Sequence, residues 1–385
     1  MFILVVACEY PSQKYPVNGI FELDQAKALK DQGNKVVCAA VNISSFRRWK
    51  KWGIERKNVG NIDFYTINVP VWRVPLWLEK EIGVRVLSIL YNVIVKDQGV
   101  PDVMHAHFTK IGYLASHLNK KFKLDIPVVM TEHFSGILNP NITTAFANTA
   151  DYAYKNVDAL IVVSHKLKDT IKEKFDVDSI YIPNIVDTNL FNLSSTDEKI
   201  PIFDFISVGR LISLKRMDLT IRAFIRAFET IDNVILTIFG DGSERRNLEK
   251  LIIKHGMQNR IKLMGLQPRE AIAEQFRNGN CFVLASQSET FGVAYIEALA
   301  SGLPVIATKC GGPESFIHEG NGFFVPVDDE DELVKAMTYM YNNQDKFDSN
   351  SISKEAIGLF SSSIIAKALN EVYKNVVAEK NRDKR

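Results

Sequence analysis

Short apolar runs alternate with helical patterns along the first half of the chain. The run FILVVA at 2–7 is continuous, and apolar residues then recur at helical spacing over 19–30, before Gly33 supplies a stop signal. Four further apolar runs follow, at 35–41, 101–107, 127–133 and 159–164. Continuous apolar strands that alternate with helices are typical of a parallel sheet covered on both faces.

The pattern begins again after a polar stretch, NLSSTDEKIP at 192–201, which is the best linker candidate. Six apolar runs come after it, at 203–209, 234–240, 261–265, 281–286, 303–308 and 322–326. We therefore predict an α/β protein of two Rossmann-like, doubly wound domains that face each other across a cleft. The predicted domains are 1–192 and 200–365. Residues 366–385 are predicted to form a C-terminal helix that packs back towards the first domain and ends in a charged tail.

The length and charge of the chain narrow its possible partners. At 385 residues the chain is too long for one hydrophobic core, which agrees with two domains. Its 47 basic and 45 acidic residues leave a net charge of +2. This excludes a positive electrostatic field over the whole surface that would attract nucleic acid. The four cysteines form no CxxC pair, and no span reaches the ~18 apolar residues of a membrane helix. We therefore expect a cytoplasmic protein without a zinc site or a disulfide framework.

Candidate binding residues of the second half follow its strands, where doubly wound sheets bind their ligands. Arg210 and Lys215 follow the run at 203–209 and are cations suited to phosphate, although taken alone they fit a solvated loop slightly better. Gly240 and Gly242 follow the next strand, where a tight turn is as good an interpretation as close approach to a ligand.

The most specific element is SETFGVAYIEALASGLPVIAT at 288–308, in which seven residues separate Glu289 from Glu297. A carboxylate among alanine, isoleucine and leucine is costly to bury unless it binds something, and the two hydroxyls of a ribose would suit it. The residues after Glu289 offer backbone N–H groups at a helix start, which suits anions. They are Thr290, Phe291, Gly292 and Val293.

Together these residues resemble the retaining glycosyltransferases of family 4, which have the GT-B fold. The resemblance covers essentially the whole chain and is most specific over 205–312. It implies that Arg210 and Lys215 bind the diphosphate of the donor, that Glu289 lies by the donor sugar and that Glu297 holds the ribose. The other positions that it assigns to the donor are Gly240, Gly242, Phe291, Gly292 and Val293.

The first half matches the family more loosely. The segment YPSQKYPVNGIFELDQAKAL at 10–29 resembles the N-terminal loop and helix of capsule, teichuronic-acid and O-antigen transferases. Gly19 matches the glycine that approaches the diphosphate, and His133 matches the histidine near the donor sugar. His105 and His107 also fit a family pattern, but a satisfied core histidine is the better interpretation of His105. Ile185 stands where the family's IPNGVD segment has a glycine.

The resemblance implies transfer of a sugar from a nucleotide sugar, most simply a UDP-sugar, to a glycan or lipid-linked glycan of a surface polysaccharide, with retention. Arg210 and Lys215 would stabilise the leaving diphosphate in a preorganised site. Glu289 would orient sugar hydroxyls, and His133 would contact the sugar or its reaction centre. No DxD-type carboxylate pair is placed for a metal, so we expect neither a metal nor another cofactor.

A basic, tryptophan-rich segment, SFRRWKKWGIERK at 45–57, carries six basic residues and one acid. Phe46 and the tryptophans recur every third residue and would share roughly one helical face, which suits the headgroup region of an anionic membrane. A flexible acceptor-domain loop with packed aromatic residues is an equally good interpretation. The residues assigned to acceptor or peripheral membrane contact are Arg47, Arg48, Trp49, Lys50, Lys51 and Trp52.

Three other functions are weaker interpretations. A GT-B sugar-nucleotide epimerase would share the fold and the donor; it would act by elimination and need carboxylates around the sugar, and the combined R…K and E-x7-E motifs argue against it. A dinucleotide-dependent oxidoreductase predicts GxGxxG after the first strand, where this chain has CEYPSQ. A non-catalytic nucleotide-binding module would not require two matched domains.

Overall fold

The computed structural model describes residues 1–8, 19–45, 52–71, 74–194 and 202–383. The chain divides into two compact units. The first contains Met1–Ile185 and Ser362–Arg385, and the second contains Val186–Ser361.

The sheet of the first unit has eight strands within the described residues. They are β1 (Phe2–Ala7), β2 (Lys35–Ser45), β3 (Gly53–Val59), β4 (Ile62–Val71), β5 (Val103–His107), β6 (Val128–Glu132), β7 (Ala159–Val162) and β8 (Ile180–Tyr181). Their order in the sheet is β3-β4-β2-β1-β5-β6-β7-β8. All neighbours are parallel except β3 and β4, which pair antiparallel. The chain therefore winds in two directions from β1, and the switch point lies between β1 and β5.

The hairpin of β3 and β4 contains the C-terminal part of the basic segment, and the helical face predicted over 46–52 stays a prediction. Gly53–Val59 is an edge strand, so no helix extends over these residues. Trp52 directly precedes the strand and is 68% exposed. The other aromatic and basic members of the predicted face, at 46–51, lie outside the described residues.

Six helices of the first unit have described bounds. They are α1 (Ile20–Asp31), α2 (Leu76–Gln98), α3 (Phe108–Phe122), α4 (Thr144–Lys155), α5 (His165–Phe175) and α12 (Ser362–Asp383). The buried side chains of α2 and α3 form one core cluster with the sheet. Those of α1 and α12 form another, in which Leu23 and Leu369 are among the buried residues. Both faces of the sheet are therefore covered, and the C-terminal helix contributes to a core built mostly from the N-terminal half.

Within the described residues, the second unit contains a six-stranded, fully parallel sheet and helices that pack on it. Its strands are β9 (Phe203–Val208), β10 (Val234–Phe239), β11 (Ile261–Gly265), β12 (Cys281–Leu284), β13 (Val305–Thr308) and β14 (Gly322–Val325). Its helices are α6 (Met217–Phe228), α7 (Arg245–Lys254), α8 (Arg269–Asn278), α9 (Val293–Ala300), α10 (Glu330–Asn342) and α11 (Ser349–Phe360). The strand order is β11-β10-β9-β12-β13-β14, so this sheet changes direction between β9 and β12. The prediction of two Rossmann-like α/β domains is confirmed.

The two crossings of the chain between the units lie at 185–186 and 361–362, whereas the sequence predicts boundaries at 192, 200 and 365. Ile185 is buried with the first unit's core, although it stands at a family glycine position. The backbone N–H of Val186 donates to Phe360 O at 2.9 Å. Val186 is the first residue of the second unit and Phe360 lies close to its last, so this hydrogen bond holds the two ends of the unit next to each other.

None of the helices in the described residues combines the length and apolarity needed to cross a membrane.

We predict that Leu369→Ala lowers the free energy of unfolding by about 2–5 kcal/mol, because it leaves a cavity where a fully buried side chain of α12 packs. Urea unfolding followed by circular dichroism measures this loss. Lys367→Ala changes an exposed position of the same helix and should stay within ~0.5 kcal/mol of wild type. Equal stability of the two variants would show that α12 does not belong to the core.

Candidate active site

The switch point of the second unit brings together two loops that are far apart in the sequence. Strands β9 and β12 are neighbours, and both end at the same edge of the parallel sheet. Lys215 ends a short 3-10 turn in the loop after β9, and Glu289 lies in the loop after β12. The backbone N–H of Gln287 donates to Leu214 O at 2.9 Å, which fastens the two loops to each other.

Lys215 and Glu289 form an ion pair at this edge, between Nζ and Oε1. The Ser286 hydroxyl donates to the same carboxylate oxygen at 2.7 Å. The side chains of Lys215 and Glu289 are only 17% and 10% exposed, so each charge has lost most of its water and depends on the other. The sequence predicts both residues at the site, but their contact with each other is a finding of the structure.

Arg210 lies in the same loop as Lys215 and is exposed. Within the described residues its guanidinium forms no hydrogen bond or ion pair. It is therefore a charged group at the edge of the site whose donors remain available to an anion.

Gly240 and Gly242 follow β10. Both positions require glycine because the backbone of the loop after β9 lies too close to leave room for a side chain. A Cβ on Gly240 would lie 1.9 Å from Gly209 O, and a Cβ on Gly242 would lie 2.3 Å from Leu211 O. The loops after β9 and β10 are also joined by a hydrogen bond from Leu211 N to Asp241 O at 3.0 Å. These glycines let one loop support the other, and their contact with a donor stays a prediction.

Glu297 lies in α9 and its carboxylate is held by a residue that the sequence did not single out. Arg269, the first residue of α8, donates from Nη2 to Glu297 Oε1 at 2.8 Å. The Arg269 guanidinium also lies 5.3 Å from the centre of the Phe191 ring. No motif in the sequence signals this pairing, because the two residues are 28 positions apart on different helices.

The start of α9 carries the three loop residues that the resemblance assigns to the donor. Phe291 has a buried side chain that packs against Phe316 and Phe360, so it offers only its backbone to a ligand. Gly292 precedes the helix with a left-handed φ of 92°, and Val293 is its first residue. Glycine at this turn avoids the strain that a side chain would introduce.

In the first unit, the loop after β6 carries His133 and is fixed by Glu132, which the sequence did not single out. The Glu132 carboxylate accepts hydrogen bonds from the backbone N–H groups of His133 and Phe134, both at 2.9 Å. It also accepts from the hydroxyls of Thr109 and Tyr154, the latter at 2.8 Å. Burial raises the pKa of Glu132, and these four hydrogen bonds oppose that shift. The TEH sequence is the only signal that could have pointed to it.

His133 belongs to a buried row of three histidines. His105 bonds to Thr131 Oγ1 and to the Tyr373 hydroxyl, each at 2.7 Å, so both of its ring nitrogens are used, as expected of a core histidine. His107 Nδ1 lies 3.1 Å from His133 Nε2. Burial lowers the pKa of His105 and of His133 to about 3, and it lowers the pKa of His107 well below its ordinary value. The three imidazoles are therefore neutral at physiological pH.

The remaining predicted residues are placed only in part. Gly19 precedes α1 with a left-handed φ of 67°, and the residues before it, 9–18, lie outside the described part of the chain. Arg47, Arg48, Trp49, Lys50 and Lys51 also lie outside it. Donor contact by Gly19 and membrane contact by the basic segment stay predictions.

The buried histidines predict a specific dependence of stability on pH. The pKa of His133 is about 3 in the folded chain and about 6.5 in the unfolded chain, so the unfolded chain binds more protons between these values. The stability contributed by neutral His133 is complete above pH 6.5 and is lost as the pH falls through this window. His133→Asn should therefore reduce the slope of unfolding free energy against pH by up to ~1.4 kcal/mol per pH unit.

Urea unfolding at pH 6, 5 and 4 measures this slope. His255→Asn is the control, because His255 is exposed at the end of α7. It should leave the slope unchanged. A wild-type slope in His133→Asn would mean that His133 is charged or solvated in the folded chain.

Comparisons with known proteins identify the family to which the chain belongs. Residues 22–190 match the model for Glycosyltransferase Family 4, and residues 194–357 match the model for Glycosyl transferases group 1. The chain is 30% identical, over 59% of its length and 46% of the relative's, to the GtfA subunit of the UDP-N-acetylglucosamine–peptide N-acetylglucosaminyltransferase of Streptococcus gordonii. It is 25% identical, over 60% of its length and 52% of the relative's, to one subunit of the phosphatidylinositol N-acetylglucosaminyltransferase of Arabidopsis thaliana. The matched part is thus about half of each of these relatives.

Among solved structures, the chain is similar to sucrose-phosphate synthase from Thermosynechococcus elongatus. The TM-score is 0.80 with 18% sequence identity, over 98% of this chain and 100% of that one. This similarity shows the fold of both units. The two matched models together span most of the sequence, so the chain belongs to the family 4 glycosyltransferases and has the GT-B fold.

Proposed function

We propose that this chain is a retaining glycosyltransferase that moves a sugar from a UDP-sugar to a glycan or lipid-linked glycan acceptor. The observation that carries the proposal is the Lys215–Glu289 pair at the switch point of the second unit, in a chain of the family 4 glycosyltransferases. Uridine is favoured because the name of the Streptococcus relative specifies a UDP-sugar donor.

The donor diphosphate replaces Glu289 as the partner of Lys215. Phosphate oxygens and a carboxylate compete for the same ammonium group. The Arg210 guanidinium is available to bind the phosphate as well. Glu289 is then released from its ion pair and accepts hydrogen bonds from hydroxyls of the donor sugar. One exchange of partners would thus bind the diphosphate and at the same time prepare the carboxylate for the sugar.

Glu297 takes the ribose of the nucleotide. Its carboxylate is largely buried and is held in place by Arg269, which leaves a fixed acceptor for a diol. A fixed acceptor loses little conformational freedom when the ligand arrives.

The proposed reaction breaks the bond between the anomeric carbon and the phosphate oxygen and forms a bond to the acceptor oxygen on the same face of the sugar. The proton of the acceptor hydroxyl passes to the leaving phosphate. Lys215, Arg210 and the backbone N–H groups at the start of α9 stabilise the charge that develops on that phosphate. His133 contributes a hydrogen bond to the substrate. We also propose that the transfer needs no metal ion.

A growing surface polysaccharide on a lipid carrier is the acceptor that we propose. The names of the two relatives specify a peptide and a phosphatidylinositol as acceptors, so related chains act on very different acceptors. Peripheral contact of the basic segment with an anionic membrane would bring a lipid-linked acceptor to the site. Trp52 and Trp77 are 68% and 69% exposed, which supports an apolar contact with a membrane surface.

Two substitutions in the ion pair should have opposite effects on UDP binding. Lys215→Ala removes a cation from the diphosphate and should weaken UDP binding about tenfold to hundredfold. Glu289→Gln removes the competing carboxylate and should tighten it about threefold or more, because Lys215 is then free in the unliganded protein. Both variants should lose most of their transfer activity. Isothermal titration with UDP and acceptor-dependent release of UDP measure the two properties.

Lys250→Ala, at an exposed position of α7, is the matched control and should leave both properties unchanged. Weaker UDP binding by Glu289→Gln would show that this carboxylate does not compete with the phosphate. Release of UDP at the same rate without acceptor would contradict transfer and indicate hydrolysis of the donor.

The membrane contact predicts that the protein floats with vesicles containing phosphatidylglycerol and not with vesicles of phosphatidylcholine alone. Reversal of the charges of Arg47, Arg48, Lys50 and Lys51 should abolish flotation. Reversal of Lys335, Lys354, Lys367 and Lys374, exposed lysines of α10, α11 and α12, controls for net charge. Absence of flotation in the wild type, or flotation that survives the first set of changes, would remove the membrane from the proposal.

A further inference from the structure

Two buried ring nitrogens of the His107–His133 pair have no partner among the described residues. The shared hydrogen bond uses His107 Nδ1 and His133 Nε2, at 3.1 Å. The outer nitrogens, His107 Nε2 and His133 Nδ1, are both shielded from water and form no hydrogen bond with the described residues. Buried polar groups are normally paired, so an unpaired nitrogen at the carboxyl edge of a doubly wound sheet points to a ligand atom that completes it.

The shared hydrogen bond couples the protonation of the two outer nitrogens. Each neutral imidazole carries one proton, and one of the two shared nitrogens must donate while the other accepts. If His133 Nε2 donates, the second proton lies on His107 Nε2, and His133 Nδ1 is a bare acceptor. If His107 Nδ1 donates, the second proton lies on His133 Nδ1, and His107 Nε2 is bare. The direction of one hydrogen bond therefore decides whether His133 offers a donor or an acceptor.

The enclosure of the two residues favours donation by His107. His107 is fully buried, whereas His133 is 8% exposed and follows the carboxyl end of β6. Both outer nitrogens are shielded from water, but His107 has no exposed surface at all, whereas His133 keeps a little, so a ligand contacts His133 first. A proton on His133 Nδ1 lacks an acceptor only until a ligand binds. The hydrogen bond to the ligand then offsets the free-energy cost of the buried, unpaired N–H.

The ring of His133 is also held in one place, so the direction of its outer nitrogen is defined. Glu132 fixes the backbone N–H of His133. The rings of Phe21 and Phe108 pack against the imidazole, with centroid distances of 6.0 and 5.1 Å. His105 does not disturb the pair, because both of its nitrogens are bonded to Thr131 and Tyr373.

We propose that His107 is a positioning residue: it donates from Nδ1–H to His133 Nε2, holds the His133 proton on Nδ1 and so makes His133 a hydrogen-bond donor to an oxygen of the bound substrate. The inference rests on the proposed function only for the identity of the substrate. His133 then acts by donating to a sugar hydroxyl or phosphate oxygen and does not act as a base. His107 affects transfer without touching the substrate.

Nitrogen-15 NMR of the imidazoles in the unliganded protein tests the protonation directly. The chain has seven histidines, so the loss of one signal in His133→Gln assigns that residue. Wild type should show His133 protonated at Nδ1. A His133 protonated at Nε2 in the wild type would overturn the proposal, whatever the activity of the protein.

Two substitutions of His107, to the nearly isosteric side chains of asparagine and aspartate, then distinguish the effect of hydrogen-bond donation from the effect of packing. In His107→Asn, the side-chain amide can still donate to His133 Nε2, so the His133 proton should remain on Nδ1 and kcat should stay within about threefold. In His107→Asp, the carboxylate can only accept, so the proton should move to Nε2 and kcat should fall about tenfold or more. If His107→Asp does not fold, His107→Leu, which cannot donate, takes its place and should show a smaller fraction of Nδ1–H and a similar fall in kcat.

Tyr373→Phe is the structural control. It removes the hydrogen bond to His105 and should lower the melting temperature by a few degrees while leaving the His133 tautomer unchanged. Equal kcat and equal tautomers in His107→Asn and His107→Asp would overturn the positioning role.

Addition of ligand identifies the oxygen and separates this proposal from the proposed function. A change of the His133 Nδ1 signal with UDP alone indicates a phosphate oxygen, and a change only with an intact UDP-sugar indicates a sugar oxygen. No change with any tested UDP-sugar that the protein binds would overturn the substrate contact. If no UDP-sugar binds, the proposed function fails, while the tautomer of the unliganded protein still decides the role of His107.

Discussion

Parallel pairing of strands that are distant in the sequence is the constraint on which the candidate site depends. Because β9 and β12 run side by side in the same direction, the loops that follow them must end at one edge of the sheet. Lys215 and Glu289 are 74 residues apart and meet only for this reason. In the first unit the same rule brings the ends of β5 and β6 together, and with them His107 and His133.

At this edge the second unit keeps both carboxylates of the candidate site paired. Glu289 is held by Lys215 and Ser286, and Glu297 is held by Arg269. Such pairs keep buried charges compensated, and they define the groups that a ligand must replace. A ligand that carries both a diphosphate and hydroxyl groups can offer new partners to the lysine and the carboxylate at once. An isolated phosphate can satisfy only the cation.

The sequence predicts the sheets well and the contacts within the site poorly, for physical reasons. Buried parallel strands are continuous apolar runs, so most of them are visible as such in the sequence. The edge strand Gly53–Val59 is exposed and largely polar, so it carries no such signal. Motif spacing places Lys215, Glu289 and Glu297 at the site, whereas Arg269, Glu132 and the partner of His133 depend on packing between distant elements. Burial and hydrogen bonding define these residues, and neither is a property of a local sequence pattern.

We propose that a nucleoside diphosphate binds at the carboxyl edge of the second unit, on Lys215 and the start of α9. Hydrogen–deuterium exchange of the wild-type protein with and without UDP tests it most directly, because it reports each segment separately. With UDP bound, we expect slower exchange in peptides that cover 209–216 and 288–297, with little change in α10 and α11. Unchanged exchange in both of these segments, at UDP concentrations where binding is measured independently, would contradict it.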